Sequence, residues 1–128
     1  MEIEHIDQWI GQDVVDLAGE KVGKLEDLYY EAGATDPVAA AVKHGTLGKS
    51  LALVPLERSS ITRSYLRVSY EKASFKKAPE VQSATDAPAS TVTETGEHFG
   101  AVLPAGELES GVRRKQQAEA TAAATPSA

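Results

Sequence analysis

Two glycines ten residues or so past the first tryptophan restrict what this chain can become. Between Val14-Val15 and the apolar positions of Val22 to Leu28 lies Asp16-Leu17-Ala18-Gly19-Glu20, where Gly19 can take the positive φ of a tight hairpin turn. Gly23 falls inside the second apolar run, where a missing side chain marks a bulge or a place where another backbone comes close. The run from Trp9 to Leu28 therefore predicts a β-hairpin at the start of a small, strongly bent sheet.

Further along, the same punctuation repeats. Ile3, Ile6 and Ile10, with Trp9 beside them, make an apolar lead-in that Gly11 ends. Glu31 to Pro37 reads as a loop by its Gly, Pro and Asp-Pro content, so the hairpin ends near Tyr30. Val38 to Lys43 is rich in alanine, but it is short and sits between Pro37 and the turn His44-Gly45-Thr46-Leu47-Gly48, which predicts a strand. Leu51 to Leu56 is its partner, with Pro55 at a strand end or edge because it has no N–H to donate. Ser60 to Thr62 follows, and then Tyr65 to Tyr70, where Leu66, Val68 and Tyr70 alternate with Arg67 and Ser69. The expectation over residues 1–79 is an all-β domain, a bent antiparallel sheet or small barrel of about five or six strands. Its turn and bulge positions are Gly11, Gly19, Gly23, Gly45, Gly48 and Pro55. Its buried residues are Val14, Val22, Leu25, Leu28, Val42, Leu53, Leu66 and Val68.

Beyond one helical turn within Glu71 to Ala78, the composition changes. From Pro79 on, Ala, Thr, Ser, Pro and Glu dominate, and large apolar residues thin out to Val81, Val92, Phe99, Val102, Leu103, Leu108 and Val112. Such a segment cannot bury enough surface of its own to offset about 1 to 2 kcal/mol of ordering per residue. Residues 80–128 are therefore expected to form a mostly disordered, low-complexity tail with Phe99 only transiently docked. Helix-forming composition near the end, interrupted by Gly111, is expected to be marginal.

Several function classes are disfavoured. With no cysteine, the chain has neither a disulfide nor a thiolate metal or redox site. A net charge of −6 opposes attraction to nucleic acid. The acidic N-terminus is unlike a signal peptide, and no apolar run approaches the roughly 18 residues of a membrane helix, so a cytoplasmic protein without membrane insertion is expected. Gly48-Lys49-Ser50 imitates the end of a phosphate-binding loop, but Lys43 stands where the first glycine belongs, and a strand rather than a helix follows. His5, His44 and His98 are far apart, the acidic residues lack calcium-loop spacing, and no serine has nucleophile-elbow glycines. No catalytic, cofactor or metal residue is assigned. Arg58, Arg63, Arg67, Lys72, Lys76 and Lys77 form the one locally basic region. Trp9, Tyr29 and Tyr65, with His98 and Phe99, are the candidate contact residues.

The stretch from Trp9-Ile10-Gly11 through Leu28, followed by Ala41-Val42-Lys43-His44-Gly45 to Leu56, resembles the PRC-barrel family. That family includes the cytoplasmic domain of the photosynthetic reaction-centre H subunit and the C-terminal domain of a ribosome-maturation factor. Ser69-Tyr70-Glu71-Lys72, Lys76-Lys77-Ala78-Pro79 and Glu97-His98-Phe99-Gly100 resemble the ending of actinobacterial members. Two positions depart from the pattern: Ala39 replaces a usual aromatic, and Thr93-Glu94-Thr95 thins a usual acidic stretch. The resemblance implies a non-catalytic adaptor that needs no cofactor and docks on a protein partner of unknown identity or pairs weakly with itself. A second implied role is that of an accessory factor in ribosome or RNA maturation.

Overall fold

The computed structural model describes residues 8–45 and 50–124. Ile3, His5, Ile6, Gly48 and Lys49 lie outside the described residues. The hairpin is made by β1 (Asp13–Val15) and β2 (Lys21–Tyr30). Gly19 holds φ at +86°, and the turn it makes is tied to the buried carboxylate of Asp16, which accepts the N–H groups of Ala18 (2.9 Å) and Glu20 (2.8 Å). Its other oxygen accepts the Lys72 N–H at 3.1 Å, joining the hairpin to the far end of the sheet. At Gly23 an added Cβ would lie 1.9 Å from the Lys43 carbonyl oxygen, so the two backbones meet with no room for a side chain. Gly11 and Gly45 also have positive φ.

Strands β3 (Ala39–His44) and β4 (Ser50–Pro55) pair antiparallel, Pro55 standing opposite Ala39 at the end of the ladder. Strands β5 (Ser60–Ile61) and β6 (Tyr65–Arg67) complete the sheet in the order β4-β3-β2-β1-β6-β5. This corrects the antiparallel expectation: β6 runs parallel to β1, with Asp13 opposite Tyr65 and Val15 opposite Arg67. The sheet is mixed because the chain crosses over between β4 and β5 before returning beside β1. It is also not closed. The free side of β4 is covered instead by an extended segment, where Leu53 donates to the Pro79 carbonyl (2.9 Å) and Val81 to that of Leu51 (3.0 Å). Two residues of β5 leave little edge on the other side.

Both faces of the central strands are buried. On one lie Val14, Leu25, Leu28, Tyr30, Ala40, Val42, Val54, Leu66, Val68 and Phe75, with Val22 partly buried against them. On the other lie Tyr29, Ala39, Ala41 and Leu53. Leu25 and Leu28 share a face despite odd spacing because the register slips between Leu25 and Asp27, inserting Glu26 as an extra residue. The unbroken apolar run of β3 reflects burial on both sides, as in strands covered twice.

The second face is covered by the segment expected to be disordered, so that expectation is corrected over residues 80–124, and the fold is mostly β with two helices added rather than all-β. Beyond a 3-10 turn at Lys72–Phe75, helix α1 (Ala89–Phe99) packs on β4, and Ala87, Val92 and Leu108 are buried against Tyr29 and Leu53. Strand β7 (Glu109–Ser110) pairs with β2, and α2 (Gly111–Ala124) begins at Gly111 rather than breaking there. The physical reason is that this segment needs no core of its own. A few apolar side chains cover a sheet face that would otherwise meet water, and that area offsets their ordering cost.

Adding a side chain at the two hairpin glycines should destabilise unequally. Gly19→Val meets open space but forces a strained φ, costing about 1 to 2 kcal/mol. Gly23→Val drives a side chain into the Lys43 backbone and should cost roughly 2 to 4 kcal/mol. Urea midpoints of the two variants against wild type check the order and the gap.

Candidate docking surface

The five contact residues read from the sequence are not gathered in one place. Trp9 is half-buried on the first core, and Tyr65 sits half-buried on β6. Tyr29 is corrected outright as a surface contact: it is fully buried, and its hydroxyl donates to the Thr85 carbonyl at 2.7 Å. His98 and Phe99, at the end of α1, are docked rather than free. Phe99 packs against Tyr70 (4.7 Å between centroids) and edge-on to Phe75 (6.0 Å), and His98 Nε2–H donates to the Ser74 carbonyl at 2.7 Å. Here too the expected transient contact is corrected, since α1 holds both side chains on the 3-10 turn.

Sequence reasoning missed the polar cluster that fastens β7 and α2 to the body. The Asp27 carboxylate is buried beneath the start of α2, where it accepts the hydroxyl of Ser110 and the N–H groups of Val112 (3.0 Å) and Leu28 (2.8 Å). Ser110 also caps the helix, its hydroxyl oxygen accepting the Arg113 N–H at 3.1 Å. Burial pushes the Asp27 carboxyl above its ordinary range, against the pull of these donors. Asp86 behaves oppositely: burial raises it, but the Arg113 guanidinium at 2.6 Å and the Ser110 N–H hold it below the usual range. Arg114 pairs with Glu109 (2.8 Å), donates to the carbonyls of Glu31 (2.7 Å) and Ala34 (2.8 Å), and lies 4.5 Å above the Tyr30 ring. Ser110, a preferred N-cap residue ahead of a helix-forming run, is the available signal for a helix start.

A second feature escaped the sequence entirely. Beside the turn after β4 runs an open groove of about 770 Å³, with Pro37, Val38 and Leu56 on one side and Leu103, Pro104 and Ala105 on the other. Val102 stands on its rim 87% exposed. Arg58 lies at the junction with a smaller depression lined by Tyr70, Phe99 and Gly100. Its backbone is in the left-handed region at φ +60°, a conformation held by the Ser69 hydroxyl, which donates to the Arg58 carbonyl at 2.7 Å. Glu31, Glu57 and Arg58 bring charge into the groove, whose lining is as much polar as apolar. Ser59 adds a buried hydroxyl oxygen with no hydrogen-bond partner among the described residues.

Such a surface, with a mixed polar and apolar lining, an exposed valine at its rim and a sheet behind, has the makeup of a contact site. Among the described residues no group of three or more His, Asp or Glu side chains could hold a metal, and no helix is long and apolar enough to cross a membrane. Comparison with protein families gives a match to the PRC-barrel domain over residues 1–74, more than half of the chain. No curated protein matches it.

Asp27→Ala should leave the Ser110 hydroxyl and the Val112 N–H unpaired and cost roughly 1 to 3 kcal/mol. The pH dependence has two windows of opposite sign. Because Asp27 is raised in the fold, its contribution is complete below the ordinary carboxylate range and is lost as pH climbs through its folded value. Asp16 and Asp86 are lowered, so theirs is present above that range and is lost on acidification. Urea titrations across pH should show Asp27→Asn flattening the upper window only.

Proposed function

The chain belongs to the PRC-barrel domain family, and on that premise we propose that it is a protein-docking adaptor which grips a partner through the groove beside Val102. PRC barrels are in general a non-catalytic fold family. The observation that carries the reading is the 87% exposure of Val102, a large apolar side chain at the rim of a groove lined by both polar and apolar residues. An isolated exposed valine needs no explanation, but one beside the half-buried Leu103, Pro104 and Val38 extends an apolar strip that a partner side chain can cover. Arg58, exposed beside the groove, offers a positive charge for orienting that partner. No cofactor enters this reading, which takes the protein to be cytoplasmic.

The RNA-maturation role draws its support from the basic region, and two of its members are engaged within the chain. Arg67 donates to the Leu17 carbonyl, and Lys72 lies 3.7 Å from Glu20. With a net charge of −6 behind them, the remaining cations make a weak phosphate-binding surface. Docking on protein is the better supported reading.

Immobilised wild type and a Val102→Asp variant, each incubated with native lysate before and after ribonuclease treatment, separate the two readings. The substitution is at an exposed site and should change stability by no more than about 0.5 kcal/mol. Docking through the groove predicts a protein retained by wild type after ribonuclease and lost by the variant. Capture abolished by ribonuclease would favour the RNA role, and capture indifferent to Val102→Asp would remove the groove from consideration.

A further inference from the structure

We infer that the C-terminal arm formed by β7 and α2 exchanges between two copies of this chain, each lending its arm to the other's β2. This goes beyond the docking reading, and only its consequence for the groove rests on that reading.

The arm sits in a self-contained receptor. Tyr29 pairs with Ala39 on one side and with Ser110 on the other, so β7 fills the edge of β2 away from β3, beyond the point where β1 ends. The groups that receive the arm among these contacts all precede residue 100: Asp27 takes Ser110 and Val112, Asp86 takes Arg113, and Tyr30 with the Glu31 and Ala34 carbonyls takes Arg114. A second copy offers the identical receptor, so exchange remakes each of these contacts, and only the connection and the entropy of association change.

The connection is suited to the move. Gly100 ends α1 in the left-handed conformation, and Val102 to Glu107 then run without helix or strand to Leu108. Fully extended, six residues reach about 20 Å. In the closed form Gly106 turns back with φ +100° and Val102 is left largely in water. An unfilled β2 edge would be open to any added strand, which makes a returning arm, from the same chain or another, the natural cover. The hinge also forms one wall of the groove, through Leu103, Pro104 and Ala105. Straightening it dismantles that wall, so arm exchange and occupation of the groove exclude each other.

The chain has no cysteine, so a Tyr30→Cys/Glu109→Cys pair, opposite each other across β2 and β7, reports which chain supplies the arm. Refolded at high concentration and oxidised, the full-length pair variant should yield disulfide-linked dimers on a non-reducing gel. Inserting four Gly/Ser residues after Ala105 should shift the population to monomer, and deleting Val102 to Pro104 should shift it to dimer by light scattering. Disulfides confined within single chains at every concentration would overturn the exchange, as would a deletion variant with a native circular-dichroism spectrum that stays monomeric. Should the deletion variant fail to fold, the full-length disulfide result decides alone. Capture through Val102 reads the groove and not the arm, so failure of one leaves the other standing.

Discussion

Strand β2 has to be covered on two faces and along two edges, and most of the molecule is the consequence. Ten residues long, it pairs with β3 on one side and with β1 and β7 in succession on the other. Leu25, Leu28 and Tyr30 enter the first core while Tyr29 enters the second. Burying an apolar side chain of this size contributes on the order of 1.5 to 3 kcal/mol, so leaving either face to water would be expensive for a domain this small. The first face is covered by the bent sheet folding over itself with help from Phe75. The second recruits Ala87, Val92 and Leu108 from beyond the family-matched region.

How the chain bends sharply enough to do this comes down to close backbone approaches and one extra residue. At Gly23 the hairpin lies against the Lys43 carbonyl, and at Glu26 the ladder slips so that the apolar residues after it change face. Asp16 then ties the hairpin turn to Lys72, bringing the 3-10 turn beneath α1, where Phe75, Tyr70 and Phe99 pack together. The alanines of β3 belong to the same economy of space, since small side chains on both faces let each core close tightly on the strand.

Polar chemistry rather than apolar area fastens the last part of the chain. Asp27 is buried without a basic side chain among its hydrogen-bond partners, and its donors are a hydroxyl and backbone N–H groups. Around it, Asp86, Arg113, Glu109 and Arg114 form a chain of ion pairs at the surface of the same contact. Surface pairs of this kind contribute little singly, but a buried acceptor that matches a helix start sets where that helix can dock. This gives the arm a specific seat, while the hinge before it stays loosely packed at Val102.

The sequence by itself determined the hairpin, the positions of the strands in the first part of the chain, the family, and Val14, Leu25, Leu28, Val42, Leu66 and Val68 of the first core. Each of these is local: a glycine that alone tolerates φ +86°, alternation along β6, a proline at the end of β4. Tertiary structure decided the parallel pairing of β6 with β1, because strand direction leaves no mark in alternation. It also decided that residues 80–124 pack onto the sheet. Composition weighs a segment's own side chains against its entropy and cannot see that Tyr29, Ala39, Ala41 and Leu53 stand ready as a surface to be covered. For the same reason Tyr29 read as a contact and proved to be core, while Val102 read as linker and stands exposed on the groove. Exposure belongs to the assembled surface, and no residue carries it alone.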